Sequence, residues 1–239
     1  MQVGSIVFGD NQPSVYRKTQ RGFDYSAALA VEGVVSVPAT VSPTTLHYES
    51  ATRERGPYIG TYTGRFYPFD PKPNEFEIED IAHSLAALRR YTGHGTQRYC
   101  VAEHSVHIYR WLVAQGADVR TRLCGLLHDA PEALSGYGDV ASPSKRLAPI
   151  IGQTEASIWR KAIAPRFDLP IDLPAAVHEA DSRIVADEMS QNMGEVDPGY
   201  TNPLGITLEY WDESRAKAEF LRAFYECQRL RQQQQRRAG

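Results

Sequence analysis

Residues 119–134, VRTRLCGLLHDAPEAL, place Leu123, Leu126, Leu127 and Ala130 at the spacing of one helical face. Two groups that ionise, His128 and Asp129, sit directly beside that apolar stripe. Glu132 lies four residues after His128 and three after Asp129, hence on the same face one turn on. Pro131 deletes a backbone hydrogen bond, so it either kinks this helix and widens a cleft there or marks an earlier helix end. The stretch therefore reads as a core helix carrying chemistry on its flank.

Helical periodicity extends in both directions from it. Ile78, Ile81, Ala82, Leu85 and Leu88 recur at i, i+3, i+4 and i+7, predicting a helix from about 77 that ends in the basic pair Arg89-Arg90. A Gly- and Thr-containing loop, 92–96, separates it from a helix over 101–114, and the central helix follows over 119–134. After a loop with Gly136, Gly138 and Pro143, further helices are expected over 152–167 and 175–193, divided by Pro170 and Pro174. Residues 194–212 are rich in Gly and Pro and are expected to run over the surface; a last helix, 213–232, then gives way to a frayed Gln/Arg tail. Residues 58–69, with Thr63-Gly64 between two aromatic-rich runs, resemble a β-hairpin, after which Pro71 and Pro73 break the chain. Residues 1–57 differ: Val31, Val34, Val35, Val37, Thr40 and Val41 are punctuated by Gly33, Pro38 and Pro43, which reads as short strands and loops. The predicted architecture is an all-α bundle over 58–239 with a small N-terminal β and loop appendage over 1–57.

Bulk properties narrow the function. The 239 residues are 42% hydrophobic and 23% charged, ordinary for a globular protein. A formal net charge of −3 gives no global pull toward nucleic acid or an anionic membrane. The basic run 229–237 lacks the interleaved aromatics that single-stranded nucleic acid would require, so no stable nucleic-acid partner is expected. Three scattered cysteines, Cys100, Cys124 and Cys227, form no CxxC pair and suit a reducing cytosol. With neither a secretory leader nor an apolar run of about 18 residues, the expectation is a soluble cytoplasmic protein without a membrane partner.

Two polar residues occupy positions where apolar ones belong. On the helix over 101–114 the inward stripe is Val101, His104, Ser105, Ile108 and Leu112; on that over 175–193 it is Val177, Ala180, Asp181, Ile184 and Val185. A buried carboxylate without a partner is costly. Taken singly, His104 is more often a hydrogen-bonded core histidine, Asp181 a partner of Arg183 or a helix cap, and Glu132 a partner of a basic residue such as Lys145. Together with His128-Asp129 they fall on three inward helix faces, and a shared divalent ion would satisfy all four ligand groups. Glu132 would then stand beside an ion-activated water, whose proton it could take or orient. Adjacent helical residues point about 100° apart, so His128 and Asp129 can share an ion only at the seam between their directions.

The pattern His104, His128-Asp129, Asp181 resembles the H…HD…D signature of HD-domain phosphohydrolases. The segments IEDIAHSLAALRRYTGHGTQRYCVAEHSVHIY, LLHDAPEALSGYGDVASPSKRL and VHEADSRIVADEM further resemble bacterial and phage 5'-deoxynucleotidases and phage deoxyadenosine triphosphate triphosphohydrolases. The likeness covers about residues 61–193 and weakens toward the C-terminus. It implies an HD-type helical fold with His104, His128, Asp129 and Asp181 as ligands of a divalent metal, and Glu132 as the water-activating residue. Arg90 or Arg89 falls where a phosphate-binding arginine is placed, Tyr91 where an aromatic packs near the nucleoside. Asp139 and Lys145 fall where an acid, grouped here with Glu132 and Arg90 as catalytic, and a basic substrate contact lie. Ser135-Gly136-Tyr137-Gly138 is longer than the usual Gly-Asp turn and Gly95 is an insertion, so the choice between Arg89 and Arg90 stays open. Proteins of this kind commonly assemble as homo-oligomers, and the appendage could serve contacts between subunits.

The expected activity is hydrolysis of the 5' phosphate ester of a 2'-deoxyribonucleotide, releasing the deoxynucleoside with phosphate or triphosphate, in a bacterial or phage-infected cytosol. The His and Asp donors, without thiolates, suit manganese, cobalt, iron or zinc. Two alternatives remain: an HD hydrolase of alarmones or cyclic nucleotides, and a non-catalytic nucleotide-binding regulator with a structural metal. His83 and His107 are expected to be packed or hydrogen-bonded rather than ligands, and His94 to be a solvated loop histidine.

Overall fold

The computed structural model describes residues 4–8, 12–19, 22–24, 55–194 and 197–238. The chain divides into two compact units, Met1–His47 and Tyr48–Gly239. In the first, strands β1 (Gly4–Phe8), β2 (Gln12–Thr19) and β3 (Gly22–Asp24) form an antiparallel sheet in the order β1-β2-β3. The β-branched run 31–41 lies outside the described residues.

The second unit begins with the expected hairpin: β4 (Ile59–Gly60) pairs with β5 (Arg65–Phe66), and Thr61 N–H donates to Gly64 O at 2.9 Å. Buried Asp80 anchors this turn, accepting from Thr63 N at 2.6 Å and Thr63 Oγ1 at 2.7 Å. Helices dominate the rest. They are α1 (Ile78–Ala87), α2 (Val101–Ala114), α3 (Val119–Leu127), α4 (Ala130–Ser135), α5 (Ser142–Leu147), α6 (Pro149–Ile158), α7 (Ala164–Phe167), α8 (Ala175–Asn192) and α9 (Glu213–Ala238). None among the described residues is long and apolar enough to cross a membrane. The core runs through Ile81, Leu85, Ile108, Leu112, Leu123, Leu126 and Phe220, with α9 laid along α1, α2 and α3. Each such leucine or isoleucine contributes roughly 1.5–3 kcal/mol by leaving water. Ten of the fourteen residues of α2 are buried, which makes it the central element.

Four expectations change. The helix expected over 119–134 is two helices, because Pro131 has no N–H to continue α3 and instead occupies the first turn of α4. The loop expected around Pro143 contains α5, which likewise starts with a proline in its first turn. The tail expected to fray continues α9 to Ala238. Residues 197–212 are non-helical as expected but are tied inward rather than loose. Asp187 of α8 accepts from the backbone N–H groups of Leu204, Gly205 and Ile206 at 2.7–3.1 Å. Glu103 of α2 accepts from Glu209, Tyr210 and Trp211 at 2.7–2.9 Å. A further detail follows from Pro165: between α6 and α7 the turn widens to π geometry over Trp159–Ile163, ahead of the ring that cannot donate back.

Asp187→Asn keeps the size of the side chain but turns one acceptor into a donor facing backbone N–H groups. It is expected to lower stability by about 2 kcal/mol in urea denaturation and to speed amide exchange at Leu204, Gly205 and Ile206. Unchanged exchange at those amides would show that other contacts hold the segment.

Candidate metal centre

Helices α2 and α3 pack closely at Gly125. Gly125 faces α2, and a Cβ there would lie 2.3 Å from Leu112 Cδ1. The same residue's carbonyl accepts from His128 Nδ1 at 2.9 Å. A proton on Nδ1 leaves the lone pair of Nε2 free to bind. The seam needed by His128 and Asp129 is supplied by the helix break. His128 keeps helical angles at the end of α3, whereas Asp129, at φ −92° and ψ 4°, begins α4.

Two imidazole nitrogens meet there, each close to a carboxylate oxygen of Asp129 and of Asp181. His104 Nε2 lies 3.3 Å from His128 Nε2, 3.5 Å from Asp129 Oδ2 and 3.3 Å from Asp181 Oδ1. His128 Nε2 lies 3.3 Å from Asp129 Oδ2 and 3.6 Å from Asp181 Oδ1. Donors bound at about 2.1 Å to one four-coordinate ion stand about 3.4 Å apart. His104, His128 and Asp129 thus form a cluster that could hold a metal ion, and Asp129 Oδ2 is buried with no hydrogen-bond partner. His104 and His128 are almost wholly covered, while the Asp181 side chain is 43% exposed and opens the cluster to solvent. Asp181 does not pair with Arg183, which bonds Glu179 instead at 2.8 Å.

The charges follow from this crowding. Burial alone lowers the His128 imidazole, but Asp129 and Asp181 more than offset it and push it up to about 9. Burial raises Asp181, and the hydrogen bonds and charges of the two histidines reverse this to hold it far below the usual carboxylate range. Burial pushes Glu132 well up, and the neighbouring charges of Asp129 and Asp139 add to the effect against Lys145. Asp139 is raised by its own burial despite Arg90.

A cleft of about 390 Å³ adjoins the cluster, lined among others by Arg90, Tyr91, Asp129, Glu132, Asp139, Lys145, Asp181 and Tyr200. Of the two arginines it is Arg90 that lines this cleft, whereas Arg89 bonds Glu213 at 2.8 Å and Ala86 O at 3.2 Å. Lys145 Nζ donates to both Glu132 and Glu155 at 2.9 Å, so the pairing that a purely structural Glu132 would make is present. Glu132 Oε2 is nonetheless buried without a partner. His83, His94 and His107 lie outside the cluster. His83 is exposed rather than packed inside, stacked on Tyr62 with ring centroids 4.3 Å apart; His107 is buried against Glu103 at 3.3 Å; His94 is exposed.

Sequence reading missed Glu188, which is fully buried on α8 and contacts His104, Arg90 and Tyr91. A signal existed, because Glu188 lies seven residues after Asp181 and four after Ile184, on the same inward stripe.

No family model matches the chain. An uncharacterized protein of Rhodobacter capsulatus is 34% identical over 169 residues, which is 62% of this chain and 84% of that protein. The uncharacterized protein YfdR of Escherichia coli K12 is 32% identical over 132 residues, 55% of this chain and 70% of that protein.

The raised His128 gives the cation site a defined pH dependence. Its value of about 9 exceeds the ~6.5 of an unfolded chain. In metal-free protein the imidazolium therefore stabilises the fold fully below about pH 6.5, and this is lost as pH rises through about 9. A cation requires the neutral ring and must displace the proton. Manganese uptake is expected to release protons at neutral pH and to tighten as pH rises toward 9. Titration calorimetry in buffers of different ionisation enthalpy checks this; uptake with no proton release at neutral pH contradicts it.

Proposed function

The chain belongs to the family of these two bacterial proteins, and we propose that it is a metal-dependent phosphohydrolase of the HD-domain class acting on 2'-deoxyribonucleoside 5'-phosphates. The observation that carries the proposal is two imidazole nitrogens 3.3 Å apart, each 3.3–3.6 Å from a carboxylate oxygen of Asp129 and of Asp181, beside a cleft containing an arginine and a buried acid. His104, His128, Asp129 and Asp181 would hold a divalent ion such as manganese, cobalt, iron or zinc. When bound, it supplies Lewis acidity toward a phosphoryl oxygen and acidifies a water.

The remaining steps belong to side chains. Arg90 is only 14% exposed, so its charge acts in a medium poorer in water than the surface. Its planar fork suits phosphoryl oxygens, where it would offset charge developing in the transition state. Glu132 is held at Oε1 by Lys145 and free at Oε2. Neutralising Asp129 removes one of the two negative neighbours that raise Glu132, which leaves Oε2 better able to accept a proton from the attacking water near neutrality. Lys145 keeps that carboxylate in place, and Asp139 stands 4.0 Å from Arg90, close enough for charge attraction but beyond hydrogen-bond reach. Tyr91 and Tyr200 offer aromatic surface in the cleft for a nucleoside. The choice of a deoxynucleotide rests on the resemblance of residues 61–193 to the deoxynucleotidases.

One observation favours a second reading, a non-catalytic nucleotide-binding regulator: Glu132 already has an ion-pair partner in Lys145. The two readings separate on one experiment. The protein is stripped, reloaded with manganese or cobalt, and assayed on dAMP, dATP and ribonucleotide controls. A hydrolase releases phosphate or triphosphate, and Glu132→Gln lowers turnover by about 10²–10⁴-fold with metal content unchanged. Loaded wild-type protein inert on every nucleotide, yet still binding one, would establish the regulator instead.

A further inference from the structure

We propose that Glu188 is a positioning residue that joins the cation site to the anion-binding arginine, so that one buried carboxylate orients both His104 and Arg90. The inference rests on the metal reading above and concerns a residue that this reading does not use.

Glu188 has no exposed surface, and a carboxylate in such a place is retained only with full hydrogen bonding. Its donors come from separate parts of the chain. Oε1 lies 2.6 Å from His104 Nδ1 on α2; Oε2 accepts from Arg90 Nη2 at 3.0 Å and from the Tyr91 hydroxyl. With Oε1 accepting from Nδ1–H, the His104 proton stays on Nδ1 and the Nε2 lone pair points to the cluster. The two histidines differ in this respect. His128 is oriented by a backbone carbonyl one turn back, Gly125 O, with no cleft side chain involved. His104 is oriented by a side chain that the cleft residues also hold.

Tyr91 itself is held unusually, with φ +57° followed by Thr92 at φ +51°. Left-handed backbone at two successive non-glycine residues persists only where surrounding contacts impose it, and the bond to Glu188 is such a contact. The turn carrying Arg90 and Tyr91 is thereby clamped to the partner of a metal ligand. Linkage is reciprocal for binding free energies. A change at Arg90, which touches no ligand atom, must reach the cation through Glu188 as well as through space.

Manganese affinity, measured by titration calorimetry on the full chain, tests this. Glu188→Gln is expected to weaken binding by about 10–100-fold while a cooperative melt shows the variant folded. A merely structural Glu188 would lower the melting temperature and leave the affinity of the folded protein unchanged, which would overturn the proposal. Arg90→Met is then measured in the wild-type and Glu188→Gln backgrounds. The expected result is a factor that differs by at least about threefold between the two backgrounds; equal factors overturn it. Should Glu188→Gln fail to fold, histidine-selective nitrogen NMR of zinc-loaded wild-type protein decides: His104 protonated on Nδ1 is expected, and protonation on Nε2 overturns the proposal. Wild-type protein that takes up no manganese or zinc overturns this inference and the metal reading together. Tight uptake by wild type and an equally tight Glu188→Gln overturns this inference alone.

Discussion

The geometry around His128 and Asp129 depends on one constraint: consecutive residues must deliver their side chains to the same point inside a helical bundle. A continuous helix turns them about 100° apart. The chain resolves this by ending α3 at Leu127 and restarting at Ala130, with Asp129 outside helical angles between them. Pro131 makes the restart obligatory, and Gly125 lets α2 come close enough to bring His104 Nε2 to 3.3 Å from His128 Nε2. Backbone choices at three positions around one dipeptide thus set the cluster, and the leucines of α3 hold it in place from behind.

The bundle buries several acids, and their hydrogen bonding divides them into two kinds. Asp80, Glu103 and Asp187 spend their oxygens largely on backbone N–H groups, those of Thr63 and Glu77 in the first case, with the Thr63 hydroxyl, and those of residues 204–211 in the others. They are saturated and act as cross-links between helices and non-helical chain. Asp129, Glu132 and Asp139 each keep a buried oxygen with no partner. An unsatisfied buried acceptor is expensive, and these three stand around one cleft. Glu188 falls between the two kinds, saturated like the first but by groups of the site itself.

This division also explains what could be read from the sequence. The inward stripes exposed His104 and Asp181 because a polar residue in an apolar rhythm is conspicuous. The helix over 101–114 and the hairpin at Thr63-Gly64 were legible because each has local punctuation. Glu103 and Asp187 escaped notice, since their partners are backbone groups about 106 and 17 residues away and nothing local marks them. The break at His128 was half legible: Pro131 announced an interruption but could not say whether helix α3 would bend or stop. The orientation of Arg89 and Arg90 was illegible for a related reason. Arg89 bonds Glu213, 124 residues on, and Arg90 bonds Glu188, 98 residues on, so nothing local marks either direction.

Charge balance bears on the kind of ligand the cleft can accept. Asp129, Glu132, Asp139 and Asp181 line it against Arg90 and Lys145, and both cations are already engaged, with Glu188 and with Glu132 and Glu155 respectively. A phosphate entering that cleft alone would meet more negative than uncommitted positive charge. Protons on His128 and on the raised acids reduce that excess of negative charge in the absence of a cation. A divalent ion that displaced two protons would leave the total charge unchanged, so its effect on an anion would lie in where the charge sits, concentrated on one point between His104, His128 and Asp129 rather than spread over separate groups. Any link between an anionic ligand and an ion at that cluster is therefore a matter of local placement and not of net charge.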